Sequence, residues 1–219
     1  MSNPHQVTRD FEKALCEYTG APFAVAVNSC TMALLLAVKW HIQAGAIGMV
    51  KEGDGVDFSF RMGVKPWIEI PKRTYVSVPQ SIIHAGGKPI FRDQDWIGMY
   101  RLEPLPVYDS ARFFSSGMYG RGSMVCLSFH SSKTLGDTQG GAILHDNPEA
   151  DAWFRRARFD GRTEGVAPKD DTFREIGYHC YLSPDVAARL LLKLSVLPKH
   201  NEPLPNDQYP DLSQIEVFK

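Results

Sequence analysis

Apolar residues recur along this chain at two alternating periods. Between Asp10 and Thr19, Phe11, Leu15 and Tyr18 fall at helical spacing, and Gly20 supplies a stop. Phe23 to Val27 (FAVAV) is a continuous apolar run of strand length. It leads into NSCT, where Asn28, Ser29 or Thr31 can cap the apolar helix MALLLAVKWHIQ that follows. Residues 45–66 are rich in glycine and charge and weakly periodic, which predicts a loop-like insertion with a strand around VDFSF. WIEIP reads as a strand, VSVPQSIIHAG as a helix and KPIFRD as another strand.

The second half continues the alternation. Residues 94–106 form a polar, proline-containing connection that leads to PVYDSA, a short strand ending in Asp109. VCLSFH and GGAILH are two further strands on either side of the polar run SSKTLGDTQ. A basic helix is predicted from Pro148 to about Phe159, followed by a polar stretch over 162–173. Pro184 to Leu197 is the clearest helix, opened by Ser183-Pro184 and striped by Val186, Leu190, Leu194 and Leu197. The remaining segment, 198–219, has prolines at 198, 203, 205 and 210 and predicts an extended tail. Strand and helix in this order predict an α/β fold, a mostly parallel sheet between two helical layers, with residues 1–197 as one domain.

Composition narrows the classes. At 219 residues and 24.5 kDa, the chain has the length of one large domain. Lys+Arg 24 against Asp+Glu 25 leaves a net charge of -1, without the basic field of a general nucleic-acid binder. A 43% hydrophobic content excludes wholesale disorder. The longest clean apolar run, Cys30 to Val38, is too short to span a bilayer. The N-terminus lacks an export pattern, so a cytoplasmic, reducing compartment is expected. Cys16, Cys30, Cys126 and Cys180 lie far apart, with neither metal-site spacing nor the density of a disulfide scaffold.

Candidate chemistry lies where predicted strands end. NSCT at a strand-to-helix junction offers backbone N–H groups at a positive helix terminus, a cradle for phosphate, although such residues also serve as plain caps. Asp109 sits at the carboxyl end of its strand, where open α/β sheets place ligands. Lys133 lies in a polar loop between two apolar strands and is either a surface charge or an amine poised for Schiff-base chemistry. Ser128 suits a phosphate contact, Gly140-Gly141 allows close backbone approach, and Tyr75 offers a ring for stacking. Together these are the parts of a pyridoxal phosphate (PLP) site. Such a site needs a lysine for the aldehyde, a carboxylate to hold the pyridine nitrogen protonated, and phosphate donors.

The chain resembles the DegT/StrS-type aminotransferases, PLP enzymes of fold type I that mostly aminate keto groups of nucleotide-linked sugars. The resemblance runs through residues 11–38, 70–93, 107–111, SFHSSKTLGDTQGGAI (128–143), ARFDGR (157–162) and 176–197. It implies a reduced version of the large, cofactor-binding domain of that fold. By it, Lys133 is the Schiff-base lysine, Asp109 the partner of the ring nitrogen, Tyr75 the stacking ring and Ala111 the small residue on the other face. Cys30, Thr31 and Met32 match the helix start that holds the phosphate, and Ser128 its hydroxyl donor. Arg112 stands where the family has Gln or His near the phenolic oxygen. His179 replaces an Asn that reaches the cofactor of the neighbouring subunit, and Tyr181 replaces the family's Arg, so a homodimer is implied. The connection over 94–106 is shortened, the 45–66 segment is longer than usual, and the small C-terminal domain is missing.

Three functions fit these residues. The first is an aminotransferase that moves an amino group from an amino acid such as glutamate to a keto group of a sugar-like or nucleotide-linked acceptor. The second is a PLP-dependent decarboxylase, or other chemistry at an amino-acid α-carbon, acting on an adduct of a nucleotide or a flipped-out DNA base. In that case the Arg155, Arg156, Arg158 and Arg162 cluster would meet phosphates. The third is a non-catalytic protein that keeps the fold and binds cofactor or a partner.

Overall fold

The computed structural model describes residues 4–44, 50–52, 55–57, 65–205 and 209–219. In chain order the elements begin with helix α1 (Gln6–Thr19), strand β1 (Phe23–Val27) and helix α2 (Cys30–Gln43). A short antiparallel hairpin follows, β2 (Val50–Glu52) and β3 (Gly55–Asp57). Next come β4 (Trp67–Pro71), α3 (Ser77–Ala85), β5 (Lys88–Arg92), β6 (Tyr100–Leu102) and β7 (Val107–Asp109). The rest comprises β8 (Met124–Ser128), β9 (Gly141–His145), α4 (Pro148–Ala157) and α5 (Pro184–Ser195). Of the expected 45–66 insertion, residues 45–49, 53–54 and 58–64, and with them the end of the VDFSF strand, lie outside the described residues.

One sheet has the order β1-β9-β8-β7-β6, and a parallel pair β4-β5 continues it through paired backbone bonds between Glu69 and Glu103. The sheet is mixed. Strands β7 and β8 are parallel, whereas β9 runs against both β1 and β8, and β6 runs against β7. Strands β1, β4, β5, β7 and β8 therefore share one direction.

The helices lie on both faces because the strands alternate. Val25, Val27, Cys126 and Ile143 face a core built with α2, α3 and α4. Their neighbours Ala24, Ala26, Val125, Leu127 and Leu144 face Phe11 and Leu15 of α1 and Leu190 and Leu194 of α5. Helix α1 begins four residues earlier than its apolar stripe predicts, since Thr8 is also buried, and it stops at Gly20, whose φ of 81° only glycine adopts freely.

The 94–106 connection differs from expectation by holding a strand. Tyr100–Leu102 pairs with β7 in register, Tyr100 opposite Asp109 and Leu102 opposite Val107. Three residues are too few to show a period, which is why the sequence hides it. Beyond α5, the chain packs back on the domain. Leu204 N–H reaches Arg112 O at 2.8 Å, Leu212 N–H reaches Lys72 O at 2.9 Å, and Leu212 is fully buried.

Candidate active site

The carboxyl ends of β1, β7 and β8 and the first turn of α2 surround a cavity of about 400 Å³. Cys30, Thr31, Tyr75, Asp109, Ala111, Arg112, Ser128 and Lys133 all line it. The helix start is held close to the sheet. Ser29 is extended and caps α2 by accepting the Met32 N–H at 3.2 Å. Gly141 permits that approach, since a Cβ there would lie 2.5 Å from Ser29 C and 2.6 Å from Cys30 N. Thr31 Oγ1 donates to Ser77 Oγ at 2.8 Å and so ties α2 to α3 across the cavity edge.

Asp109 is 5% exposed. Its Oδ1 accepts the Ala111 N–H at 2.9 Å, and its Oδ2 accepts the Tyr100 O–H at 2.9 Å. Tyr100 in turn is 2.6 Å from Thr74 Oγ1. Burial pushes the Asp109 carboxyl above its ordinary value, while Ala111, Tyr100 and the charge of Lys133 pull it back. Burial likewise pushes the thiols of Cys30 and Cys126 well up, so both stay neutral beside it.

Lys133 stands in the β8–β9 loop, which is folded tightly. Its N–H donates to His130 O at 2.8 Å, and a Cβ on Gly136 would lie 2.9 Å from Lys133 O. Helix α5 pins the loop from below. Asp137 accepts Arg189 Nη2 at 2.8 Å and Lys193 Nζ at 2.7 Å, and these donors hold its carboxyl below the ordinary range. This clamp is invisible in the sequence, because it joins residues more than fifty positions apart.

An aromatic wall closes another side. Tyr75 meets Tyr209 edge-on at 6.5 Å, Tyr209 stacks on Trp96 at 6.3 Å, and Trp96 tilts onto Tyr100 at 4.7 Å. Trp96, Tyr209, Thr74 and Tyr100 were not among the expected site residues. The signal that could have found Tyr100 is its register opposite Asp109. Tyr209 comes from the C-terminal segment, and Arg112 holds that segment by donating to Pro205 O and, at 3.4 Å, to the Tyr209 hydroxyl.

Two expected residues stand apart from this chain's cavity, His179 being the one expected at a neighbouring subunit's cofactor. Met32 does not line the cavity, and its N–H is taken by the Ser29 cap. His179 is exposed, paired with Asp160 at 2.9 Å and edge-on to Tyr181, and it lies off this chain's cavity. The arginine cluster is structural. Arg155 binds Asp151 and Glu12 at 2.7 Å each, Arg156 binds Glu175, Arg158 is buried against Glu12, and Arg162 lies over the Phe159 ring at 5.4 Å. That cluster is therefore spent on internal partners and is not an arrayed phosphate surface. Among the described residues, no group of three His, Cys, Asp or Glu is placed to hold a metal ion, and no helix is long and apolar enough to cross a membrane.

Comparison with known proteins gives the chain relatives. The sequence profile of the DegT/DnrJ/EryC1/StrS aminotransferase family matches residues 2–100 and 113–203. The intervening 101–112, which holds Asp109, Ala111 and Arg112, is outside the match, so their place in the site rests on geometry. The fold is similar to a DegT DnrJ EryC1 StrS aminotransferase from Brucella abortus, at 22% identity and TM-score 0.63, over 87% of this chain and 58% of that one. It is also similar to a Helicobacter pylori aminotransferase involved in pseudoaminic acid biosynthesis, at 17% identity and TM-score 0.65, over 90% and 64%. A sugar aminotransferase from Micromonospora echinospora matches at 18% identity and TM-score 0.67, over 86% and 60%. The chain thus spans about three fifths of the length of these structures.

Proposed function

The chain belongs to the DegT/DnrJ/EryC1/StrS aminotransferase family, and from that premise we propose that it binds PLP and transfers an amino group from an amino acid to a keto group of a sugar-like or nucleotide-linked acceptor. The observation that carries this reading is that the residue types a PLP site needs converge on one cavity. A lysine, a buried carboxylate, a helix start and a serine hydroxyl all line it. The donor set fits the group. The first turn of α2 and Ser128 offer donors to a phosphate, Asp109 offers a buried negative charge to a protonated ring nitrogen, and Lys133 offers an amine to an aldehyde.

When bound, PLP supplies an electron sink for the pair left as a bond at the amino-acid α-carbon breaks. The chain's own residues do the rest. Asp109 holds the ring nitrogen in its charged form by direct pairing. Tyr75 and Ala111, both on the cavity wall, would bound the two faces of the ring. Nζ of Lys133, a residue lining the cavity, would serve as the general base that takes the α-proton of the donor and as the general acid that returns it. The Asp137 clamp keeps Lys133 in reach, and the wall of Trp96 and Tyr209 narrows the access of water.

The proposal extends to assembly. His179 lies exposed and away from its own cavity, as expected of a residue that serves a second copy's site across a two-fold interface. Analytical ultracentrifugation of the PLP-loaded chain should give a dimer, and a monomer with full PLP affinity would remove His179 from the site.

The activity is tested by a half-reaction. The PLP-loaded chain mixed with L-glutamate is expected to lose its visible absorbance and release 2-oxoglutarate in one equivalent, without carbon dioxide. Release of carbon dioxide from an amino acid, with the visible band retained, would replace amino transfer by decarboxylation.

A further inference from the structure

The hairpin β6–β7 does more than shorten the chain between two strands. It places a phenol on the same carboxylate that faces the cavity, at a position no motif marks. We propose that Tyr100 is a positioning residue for Asp109: its O–H fixes Oδ2 as an ionised acceptor, so that the carboxylate is presented to the cofactor as a charge. The inference rests on the PLP reading above and adds a residue to it.

Three observations carry it. The first is register, which sets Tyr100 directly opposite Asp109 on adjacent antiparallel strands. The second is the order of the protons. A phenol has one hydrogen, and Tyr100 gives it to Asp109 Oδ2 at 2.9 Å, so the 2.6 Å contact with Thr74 must be a donation from Thr74 Oγ1 to the phenol oxygen. The donors therefore run from Thr74 to Tyr100 to Asp109, and an ionised Asp109, which has no proton of its own to donate, takes that bond most strongly. The third is burial. Thr74, Tyr100 and Asp109 are 1%, 4% and 5% exposed, so each unmade bond would leave a polar atom without water.

The groups facing Asp109 from each neighbouring element leave Tyr100 with this task. Cys30 on α2 and Cys126 on β8 are thiols that burial keeps neutral. The Tyr100 phenol is itself pushed well above its ordinary value by burial and by the Asp109 charge, so it remains a donor. Lys133 in the β8–β9 loop is the cation acting on Asp109, but under the PLP reading its amine is the group that would meet the cofactor aldehyde. Once that amine is committed, the Ala111 N–H and the Tyr100 O–H are the protein bonds left to keep Asp109 charged until the ring nitrogen pairs with it.

The test begins on the ligand-free full chain. Carbon-13 NMR of aspartate-labelled protein, with the Asp109 signal assigned by its loss in Asp109→Asn, gives the carboxyl titration directly. In Tyr100→Phe, which keeps the ring, the Asp109 midpoint should rise by about one pH unit, the size of one hydrogen bond to a charged group. Thr74→Val should move it the same way by less, and Thr74→Ser should restore the wild-type value. In the loaded chain, Tyr100→Phe should weaken PLP binding about tenfold, by the same amount of differential interaction. An unchanged Asp109 midpoint in Tyr100→Phe overturns the proposal. Should that variant fail to fold, an unchanged midpoint in Thr74→Val overturns it instead. If wild type fails to bind PLP at all, the cofactor reading falls, while the ligand-free titration still decides whether Tyr100 controls Asp109.

Discussion

Two carboxylates in this chain are almost equally buried and are treated in opposite ways. Glu12, 3% exposed on α1, is met by Arg158, by Arg155 at 2.7 Å, by Arg9 at 3.6 Å and by the Ala26 N–H at 2.9 Å. Asp109, 5% exposed at the end of β7, takes its two hydrogen bonds from a backbone N–H and a phenol. Burial pushes both carboxyls up. For Glu12 the opposing pull is led by Arg158, and for Asp109 by the Ala111 N–H. The difference separates structure from function. A buried carboxylate ringed by guanidinium groups is neutralised within the fold, and it ties α1, β1 and α4 together. One held by neutral donors and turned to a cavity would, under the proposed function, offer its charge to a cationic partner that arrives from outside.

Substitutions should break this contrast in a fixed order. The largest effect on stability is expected from Glu12→Ala, which leaves the buried Arg158 guanidinium only the Ala26 carbonyl at 2.6 Å and the Glu164 carboxylate at 3.4 Å. Chemical denaturation should show a loss of about 3–5 kcal/mol, the usual cost of breaking a buried pair from one side. Replacing both partners, Glu12→Leu with Arg158→Met, should recover much of that loss, because no buried charge is then left unpaired. Gly141→Ala comes next. Its Cβ would force the start of α2 off β9, costing about 1–3 kcal/mol by overpacking and weakening PLP binding in an equilibrium titration.

Asp109→Asn is expected to have the smallest effect on stability and the opposite sign. A carboxyl whose folded value is raised binds more protons folded than unfolded, so its contribution falls as pH rises through and above the ordinary 3.8. The stability of the ligand-free Asn variant relative to wild type should therefore increase as pH is raised from acid to neutral, read as the difference between their unfolding midpoints. A difference that decreases over the same range would mean that Asp109 is held as a stabilising charge within the fold.

The sequence made one half of the site legible and concealed the other. The β1–α2 junction, the strand ending in Asp109 and the loop of Lys133 are local features, each readable from a short apolar run that stops at small polar residues. Their convergence on one cavity follows from the α/β layering, which the alternation of strand and helix also predicts. What stayed hidden depends on contacts between distant positions. Tyr100 sits in a three-residue strand with no measurable period, and its role comes from register. Tyr209 enters the site from a proline-rich segment whose composition suggests only an extended path. The arginines of α4 read as an exposed basic face, but Glu12, Asp151 and Glu175 take up three of them. The antiparallel β6–β7 pair follows from the brevity of the chain between Leu102 and Val107, which has room for a hairpin and none for a crossover helix.

The central claim is that one cavity holds PLP on Lys133. The most direct measurement is borohydride reduction of the PLP-loaded chain followed by peptide mass mapping. The account predicts one pyridoxyl group on the peptide that contains Lys133, and none on the Lys133→Ala variant. Equal labelling of wild type and variant, or label spread over surface lysines, would contradict it.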